Sequence, residues 1–127
     1  MVQNGGFSVA ARLASFRCAL RGMWTVLASQ HNARIHLLAT VCACGTGLLI
    51  GISLLEWCAI VIAIAMVWTA EALNTALEFL CDVASPEFHP LVQKAKDVAA
   101  AAVLCSAIGA AVIGLLVFGP HLLRIAG

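Results

Sequence analysis

Residues 57–82 read WCAIVIAIAMVWTAEALNTALEFLCD, an apolar run whose second half carries acidic and amide side chains. Its apolar stretch, residues 57–80, is long enough to cross a bilayer, which takes about 20 residues. A spanning segment must satisfy its backbone hydrogen bonds internally because lipid offers no partners, so a helix is expected. The stretch therefore predicts a membrane-spanning helix with polar groups embedded in it.

Two further apolar stretches, residues 35–55 and 98–118, reach a similar length and predict two more spans. Residues 7–29 instead repeat apolar side chains at spacings of three and four between arginines, which is typical of an amphipathic helix lying in the membrane interface. Residues 1–6 are predicted to be a disordered start. The prediction is one all-α integral membrane domain over residues 1–127, with a surface helix and three transmembrane helices.

The composition supports lipid as the solvent of this chain. Hydrophobic residues make up 63% of it and charged residues 10%, whereas soluble domains average about 45–50% and about 25%. The mean hydropathy is +1.04. A net charge of +1 gives no attraction for a polyelectrolyte, so no nucleic-acid partner is expected.

The basic residues predict the orientation in the membrane. Lys94 and Lys96 lie in the polar connection 82–97, and the C-terminal tail has only Arg124. The positive-inside rule then places the N-terminus and the 82–97 loop in the cytoplasm and the C-terminus outside. Within this loop, Ser85 and Pro86 predict the start of a short helix. The arginines before the first span are Arg12, Arg17, Arg21 and Arg34.

Five polar residues in and just after the second span share one helical face, within about 100° of arc. An ionisable group in a membrane costs at least a few kcal/mol and is a functional candidate by default. Two carboxylates one or two turns apart can share a cation or divide acid–base and metal roles. The alternative is a polar seam that packs helices. The five residues are Glu71, Asn74, Thr75, Glu78 and Asp82.

Two other features leave alternatives open. Lys96 and Asp97 lie at the start of the third span and could bind phosphate. They fit a second interpretation equally well, in which Lys96 extends to the membrane interface and Asp97 caps a helix. Small residues recur at every fourth position of the third span, which lets helices approach closely within one chain or between chains. They are Ala102, Ser106, Ala110 and Gly114. Three spans make a thin bundle, so an oligomer is expected.

The segment EALNTALE at 71–78, followed by Asp82 and by AKD at 95–97, resembles the prokaryotic-type diacylglycerol kinase family, which includes undecaprenol kinases. The resemblance covers nearly the whole chain. Residues 32–37 and 85–90 look closer to the undecaprenol kinase branch. The resemblance implies a homotrimer in the bacterial inner membrane, with active sites between subunits near the cytoplasmic surface. It also implies phosphorylation of a membrane lipid alcohol, undecaprenol or diacylglycerol, that depends on ATP and Mg²⁺.

The same resemblance assigns roles to individual residues. Glu71 matches the general base and Asn74 a residue that positions substrate and phosphate. Glu78 matches a Mg²⁺ ligand, and Gln30 stands where the family often has a second, acidic ligand. An amide oxygen can bind Mg²⁺ but brings no charge, which makes Gln30 the main departure. Lys96, Asp97 and Asp82 match the nucleotide side, and Arg17, Arg21 and Arg34 are candidate substrate or membrane-interface residues.

The alternative function is a non-catalytic oligomeric membrane protein whose carboxylate stripe serves packing or ion binding. The first and third spans carry no charged residue in their interiors. A proton path usually needs relay groups on several helices, so a transport path is not favoured.

Overall fold

The computed structural model describes residues 8–127, and the predicted disordered start lies outside them, as does residue 7 of the predicted surface helix. The described part contains four helices: α1 (Val9–Ser29), α2 (His31–Ile50), α3 (Leu54–Ala84) and α4 (Pro90–Ala126). The last three are each long and apolar enough to cross a membrane. The prediction of an all-helical membrane protein with three spans is therefore confirmed at this level.

One residue separates α1 from α2, and three residues separate α2 from α3. Gln30 has extended backbone angles (φ −107°, ψ 122°), which ends α1 and lets α2 begin at once. Gly51 ends α2 in the left-handed region at φ 67°, where glycine has no Cβ to clash. As a result, α2 occupies residues 31–50 rather than the 35–55 expected from hydropathy.

A capping box starts α3 directly after this turn. The Ser53 hydroxyl accepts a hydrogen bond from the Glu56 backbone N–H at 3.3 Å, and the Glu56 carboxylate accepts one from the Ser53 N–H at 2.7 Å. The two side chains thus satisfy helix N–H groups that have no partner within the helix.

The predicted helix start at Ser85 and Pro86 is wrong. Ser85 instead ends α3, and its hydroxyl donates to the Glu87 carbonyl at 3.0 Å rather than accepting from a helix N–H. The same pattern of a capping side chain followed by proline occurs four residues later. There the His89 Nδ1 accepts from the Leu91 N–H at 3.2 Å, and Pro90 takes the first helical position.

The bundle is an antiparallel hairpin of α3 and α4 with α2 packed beside it, and α1 lies against α2 and α3. At the turn end, Ile52, Ile60 and Val117 form the buried core. The His121 ring lies 2.9 Å from the Glu56 carboxylate there, joining the start of α3 to the end of α4. The other end of the bundle holds the polar residues of α3.

Large apolar side chains cover the outer surface of the bundle. Leu49 is 90% exposed, and Leu54 and Leu55 are each 82% exposed. In water such a surface would be an aggregation liability, whereas lipid solvates it as well as another helix would. The thin core is therefore what a bundle that folds in a bilayer requires.

Gly47 is a position where the packing of α2 on the turn tolerates no side chain. A Cβ there would lie 2.9 Å from the Trp57 ring and 3.1 Å from Ile52 Cδ1, whereas one at Gly45 would meet nothing within 4 Å. We expect Gly47→Ala to destabilise the fold by about 1–3 kcal/mol through overpacking. Gly45→Ala is the control and should be neutral or stabilising. Thermal unfolding in detergent micelles measures both, and equal midpoints would contradict the expected difference.

Candidate active site

The polar face of α3 runs from the buried interior to the end of the bundle. Glu71, Asn74 and Thr75 are buried, with exposed fractions of 1%, 8% and 2%. Glu78 is half-buried and Asp82 is exposed. Burying a carboxylate or an amide costs free energy unless the group is hydrogen-bonded, so the hydrogen-bond partners determine what the site can do.

Glu78 lies at the centre of a hydrogen-bonded group of three residues. Its Oε1 accepts from the Asn74 Nδ2 at 3.0 Å, one turn earlier on α3. Its Oε2 accepts from the Gln30 Nε2 at 2.7 Å, which joins α3 to the junction of α1 and α2. Both donors are neutral amides, so neither balances the negative charge of the carboxylate.

Two buried acceptors next to Glu78 are left free. Glu71 Oε2 and Asn74 Oδ1 have no hydrogen-bond partner among residues 8–127. The Thr75 hydroxyl does not serve them, because it donates to the backbone carbonyl of Glu71 at 2.8 Å. An unsatisfied buried acceptor costs about 1–3 kcal/mol, so a ligand or water that donates to these two atoms would stabilise the site.

These groups open into a cavity of about 300 Å³ between α2, α3 and α4. Glu71, Asn74, Glu78 and Gln30 make its polar side, and Val103 and Leu104 of α4 stand on the apolar side. An apolar cavity of about 700 Å³ along α3 and α4 adjoins it at Asn74. A site that is polar at one point and apolar around it fits a molecule with a polar head and a hydrocarbon chain.

The second group of predicted residues lies one turn beyond Glu78. The Lys96 ammonium donates to the Asp82 carboxylate at 2.6 Å, and these side chains are 31% and 64% exposed. Asp97 is not part of this pair. It lies inside α4, is exposed, and accepts from the Gln93 amide at 2.8 Å, so it caps no helix.

The candidate arginines lie on or beside α1. Arg34 donates to two carbonyls at the end of α1, that of Leu27 at 3.2 Å and that of Ala28 at 2.9 Å. These are carbonyls that a helix end leaves without intrahelical partners, so Arg34 holds the junction that carries Gln30. Arg17 and Arg21 are exposed on α1.

His36 is a site residue that the residue pattern did not single out. Its Nε2 lies 3.8 Å from Glu71 Oε2, and its ring lines the polar cavity. The two residues are far apart in sequence and belong to different helices, so no local spacing relates them. The outer pair of Glu56 and His121 was missed for the same reason.

The fold and this site define a membrane protein with carboxylates and amides gathered inside its helical bundle. The sequence profile of the prokaryotic diacylglycerol kinase family matches residues 17–118. The chain belongs to this family, and it is therefore a lipid kinase. The non-catalytic alternative is accordingly set aside.

Individual relatives support the same family. The chain is 38% identical over 108 residues to the undecaprenol kinase of Bacillus subtilis, covering 85% of this chain and 88% of that protein. It is 35% identical over 114 residues to the diacylglycerol kinase of Synechocystis, covering 89% and 65% of the two chains. A diacylglycerol kinase of Helicobacter pylori is 35% identical over 71 residues, 56% of this chain and 52% of that protein. The chain thus spans under two thirds of the two diacylglycerol kinases.

Proposed function

We propose that this chain transfers the γ-phosphate of ATP to undecaprenol in a Mg²⁺-dependent reaction, with diacylglycerol as the competing substrate. The observation that carries the proposal is the buried Glu71 carboxylate, whose Oε2 has no hydrogen-bond partner in the described chain, in a cavity with an apolar side. The match to the Bacillus relative named undecaprenol kinase, over 88% of that protein, favours the isoprenoid alcohol.

Glu71 is the proposed general base. As a bond forms between the lipid oxygen and the γ-phosphorus, the hydroxyl proton passes to the Glu71 carboxylate and ADP leaves. A buried carboxylate with an oxygen that accepts no hydrogen bond from residues 8–127 is suited to accept this proton. Asn74 lies one turn along α3 and is proposed to position the substrate and the phosphate. Its free Oδ1 can accept from a substrate hydroxyl, and the Nδ2–H not used by Glu78 can donate to a phosphate oxygen.

Glu78 is the proposed Mg²⁺ ligand, because carboxylate oxygens are donors that this ion binds in proteins. This ion usually takes one or two protein carboxylates and completes its shell with phosphate and water oxygens. The described chain holds no cluster of three or more acidic, histidine or cysteine side chains around one point, so the protein ligands are few. Glu78 would hold the ion. Gln30 would add its amide oxygen after its side-chain amide turns, because its Nε2–H faces Glu78 in the structure. The chemistry that Mg²⁺ supplies at such a site is stabilisation of charge on the transferring phosphoryl group.

Lys96 is the proposed phosphate contact, with Asp82 and Asp97 on the nucleotide side. Its ammonium is partly exposed and already holds an anionic partner, Asp82. A phosphate can take or share that position, because ammonium–phosphate hydrogen bonds are charge-assisted. Asp82 follows Glu78 by one helical turn, so the lysine lies on the side of α3 where the metal ligand is proposed.

The proposed assembly is a homotrimer in the bacterial inner membrane with sites between subunits. The N-terminus and the 82–97 loop would face the cytoplasm, which gives Lys96 access to ATP, and the C-terminus would lie outside. The exposed apolar side chains of α1, among them Phe16 at 70% and Trp24 at 72%, support its placement in the interface near lipid headgroups.

The test of the proposal is transfer of labelled γ-phosphate from Mg-ATP in mixed micelles, with undecaprenol and diacylglycerol offered separately. We expect undecaprenol to be phosphorylated at the higher kcat/KM and the signal to require Mg²⁺. Preference for diacylglycerol would replace the substrate assignment. No transfer to either lipid by a folded oligomer would refute the proposal.

Lys96→Met should weaken nucleotide binding. Losing one charge-assisted hydrogen bond to phosphate costs about 1.5–3 kcal/mol, so KM for Mg-ATP should rise by about tenfold or more, with KM for the lipid unchanged. Lys94→Met is the matched control, since Lys94 is an exposed lysine two residues earlier on the same helix. Steady-state kinetics in micelles measure both variants. An equal rise in both would assign the effect to net charge rather than to a contact at Lys96.

A further inference from the structure

His36 lies where the polar cavity meets a separate apolar one. Its ring lines the cavity that contains Glu71 and also a cavity of about 200 Å³ between α2, α3 and α4. The His36 side chain is 16% exposed and that of Glu71 is 2% exposed. The two groups therefore face each other away from bulk water, where a hydrogen bond between them would be strong.

No other basic side chain in residues 8–127 lies within 4.0 Å of Glu71. Lys96 is paired with Asp82, and Arg34 is bound to carbonyls at the end of α1. His36 Nε2 and Glu71 Oε2 are 3.8 Å apart, beyond the usual hydrogen-bond length of about 2.9 Å. A direct hydrogen bond between them therefore requires one of the two side chains to rotate toward the other.

A hydrogen-bonded link joins α2 to α3 beside the backbone of His36. The Thr40 hydroxyl donates to the His36 carbonyl at 2.8 Å and accepts from the Trp68 indole N–H at 3.0 Å. Trp68 is three residues before Glu71 on α3, so this link fixes α2 against α3 within one turn of both groups. Hydrogen bonds between membrane helices typically contribute about 0.6–2 kcal/mol.

From this geometry we infer that His36 is a positioning residue for Glu71. Its neutral ring would donate the Nε2–H to one lone pair of Glu71 Oε2, and the carboxylate keeps further lone pairs to take the proton from the lipid hydroxyl. The inference rests on the proposed function, in which Glu71 is the base. The donor also keeps a buried carboxylate oxygen from remaining unsatisfied between turnovers.

The kinetic test compares His36→Gln with His36→Leu. Glutamine keeps an N–H donor at a similar reach, whereas leucine keeps only volume. We expect the leucine variant to lose roughly tenfold or more in kcat, with KM for both substrates nearly unchanged, and the glutamine variant to recover most of the loss. His31→Leu, at an exposed histidine on the same helix, is the control. Leucine and glutamine variants that behave alike would overturn the inference, as would a change in lipid KM alone.

A second measurement does not depend on turnover. The ¹⁵N signals of the His36 ring should move when Glu71 is changed to Gln and stay in place in Glu56→Gln, which alters a carboxylate at the far end of α3. If the ¹⁵N signals of the His36 ring do not move in Glu71→Gln, the proposed contact is refuted. An inactive wild-type chain would instead refute the proposed function, so the two failures are distinguishable.

Discussion

We expect Glu71→Gln to lower the rate of lipid phosphorylation by about 10²- to 10⁴-fold, the usual contribution of a general base. Glutamine has nearly the same volume and shape but cannot accept the proton. The residue is 1% exposed, so bulk water offers little substitute for the lost base. Binding should change little because the cavity keeps its shape. Single-turnover transfer of labelled phosphate at saturating substrates isolates this loss from any change in affinity.

The matched control is Glu56→Gln, at the other end of the same helix. Residue 56 lies 15 positions earlier, about 22 Å along α3. An amide can keep the capping box with Ser53, so folding should be preserved. Glu71→Gln should unfold at an equal or higher temperature than the wild type, because it removes a buried carboxylate whose Oε2 has no hydrogen bond within the described residues. Near-normal turnover by Glu71→Gln would remove this residue as the base.

The face shared by the α3 residues followed from spacing, because a helix repeats every 3.6 residues and nothing else need be known. Spacing did not distinguish the members of that face. Thr75 donates its hydroxyl to the backbone carbonyl of Glu71, and the side chain of Asp82 is exposed. Which polar residues remain free for a ligand depends on their hydrogen-bond partners, and these become known only from the packed helices.

Contacts between helices were beyond what spacing can predict. Gln30 was named through a family resemblance, but its hydrogen bond to Glu78 joins residues 48 positions apart. His36 gave no local signal because its partner, Glu71, lies 35 positions away on another helix. The predicted start of the helix after α3 was wrong for a different reason. Ser85-Pro86 satisfies the rule for a helix start, whereas His89 is not a usual N-cap residue, so the rule selected the wrong proline.

The strongest test of the proposed metal ligands exchanges the carboxylate and the amide that meet at 2.7 Å, Glu78 and Gln30. Glu78→Gln leaves two amides there and removes the charge, so we expect kcat to fall by about 100-fold or more and Mn²⁺ binding in the absence of nucleotide to be lost. The double variant Gln30→Glu, Glu78→Gln restores one carboxylate from the opposite side. It should recover Mn²⁺ binding and part of the rate, since the charge returns to the same gap between the helices.

Gln30→Glu alone places two carboxylates at this contact. Without a cation they repel, so the thermal midpoint should fall, and with Mn²⁺ it should rise above that of the wild type, because like charges in one site are stabilised by a shared cation. Electron paramagnetic resonance of free Mn²⁺ should show affinity increased by about tenfold. If instead the double variant binds no more Mn²⁺ than Glu78→Gln, and Gln30→Glu binds it no better than the wild type, the cation is held elsewhere. The Gln30–Glu78 hydrogen bond would then serve only to hold the α1–α2 junction against α3.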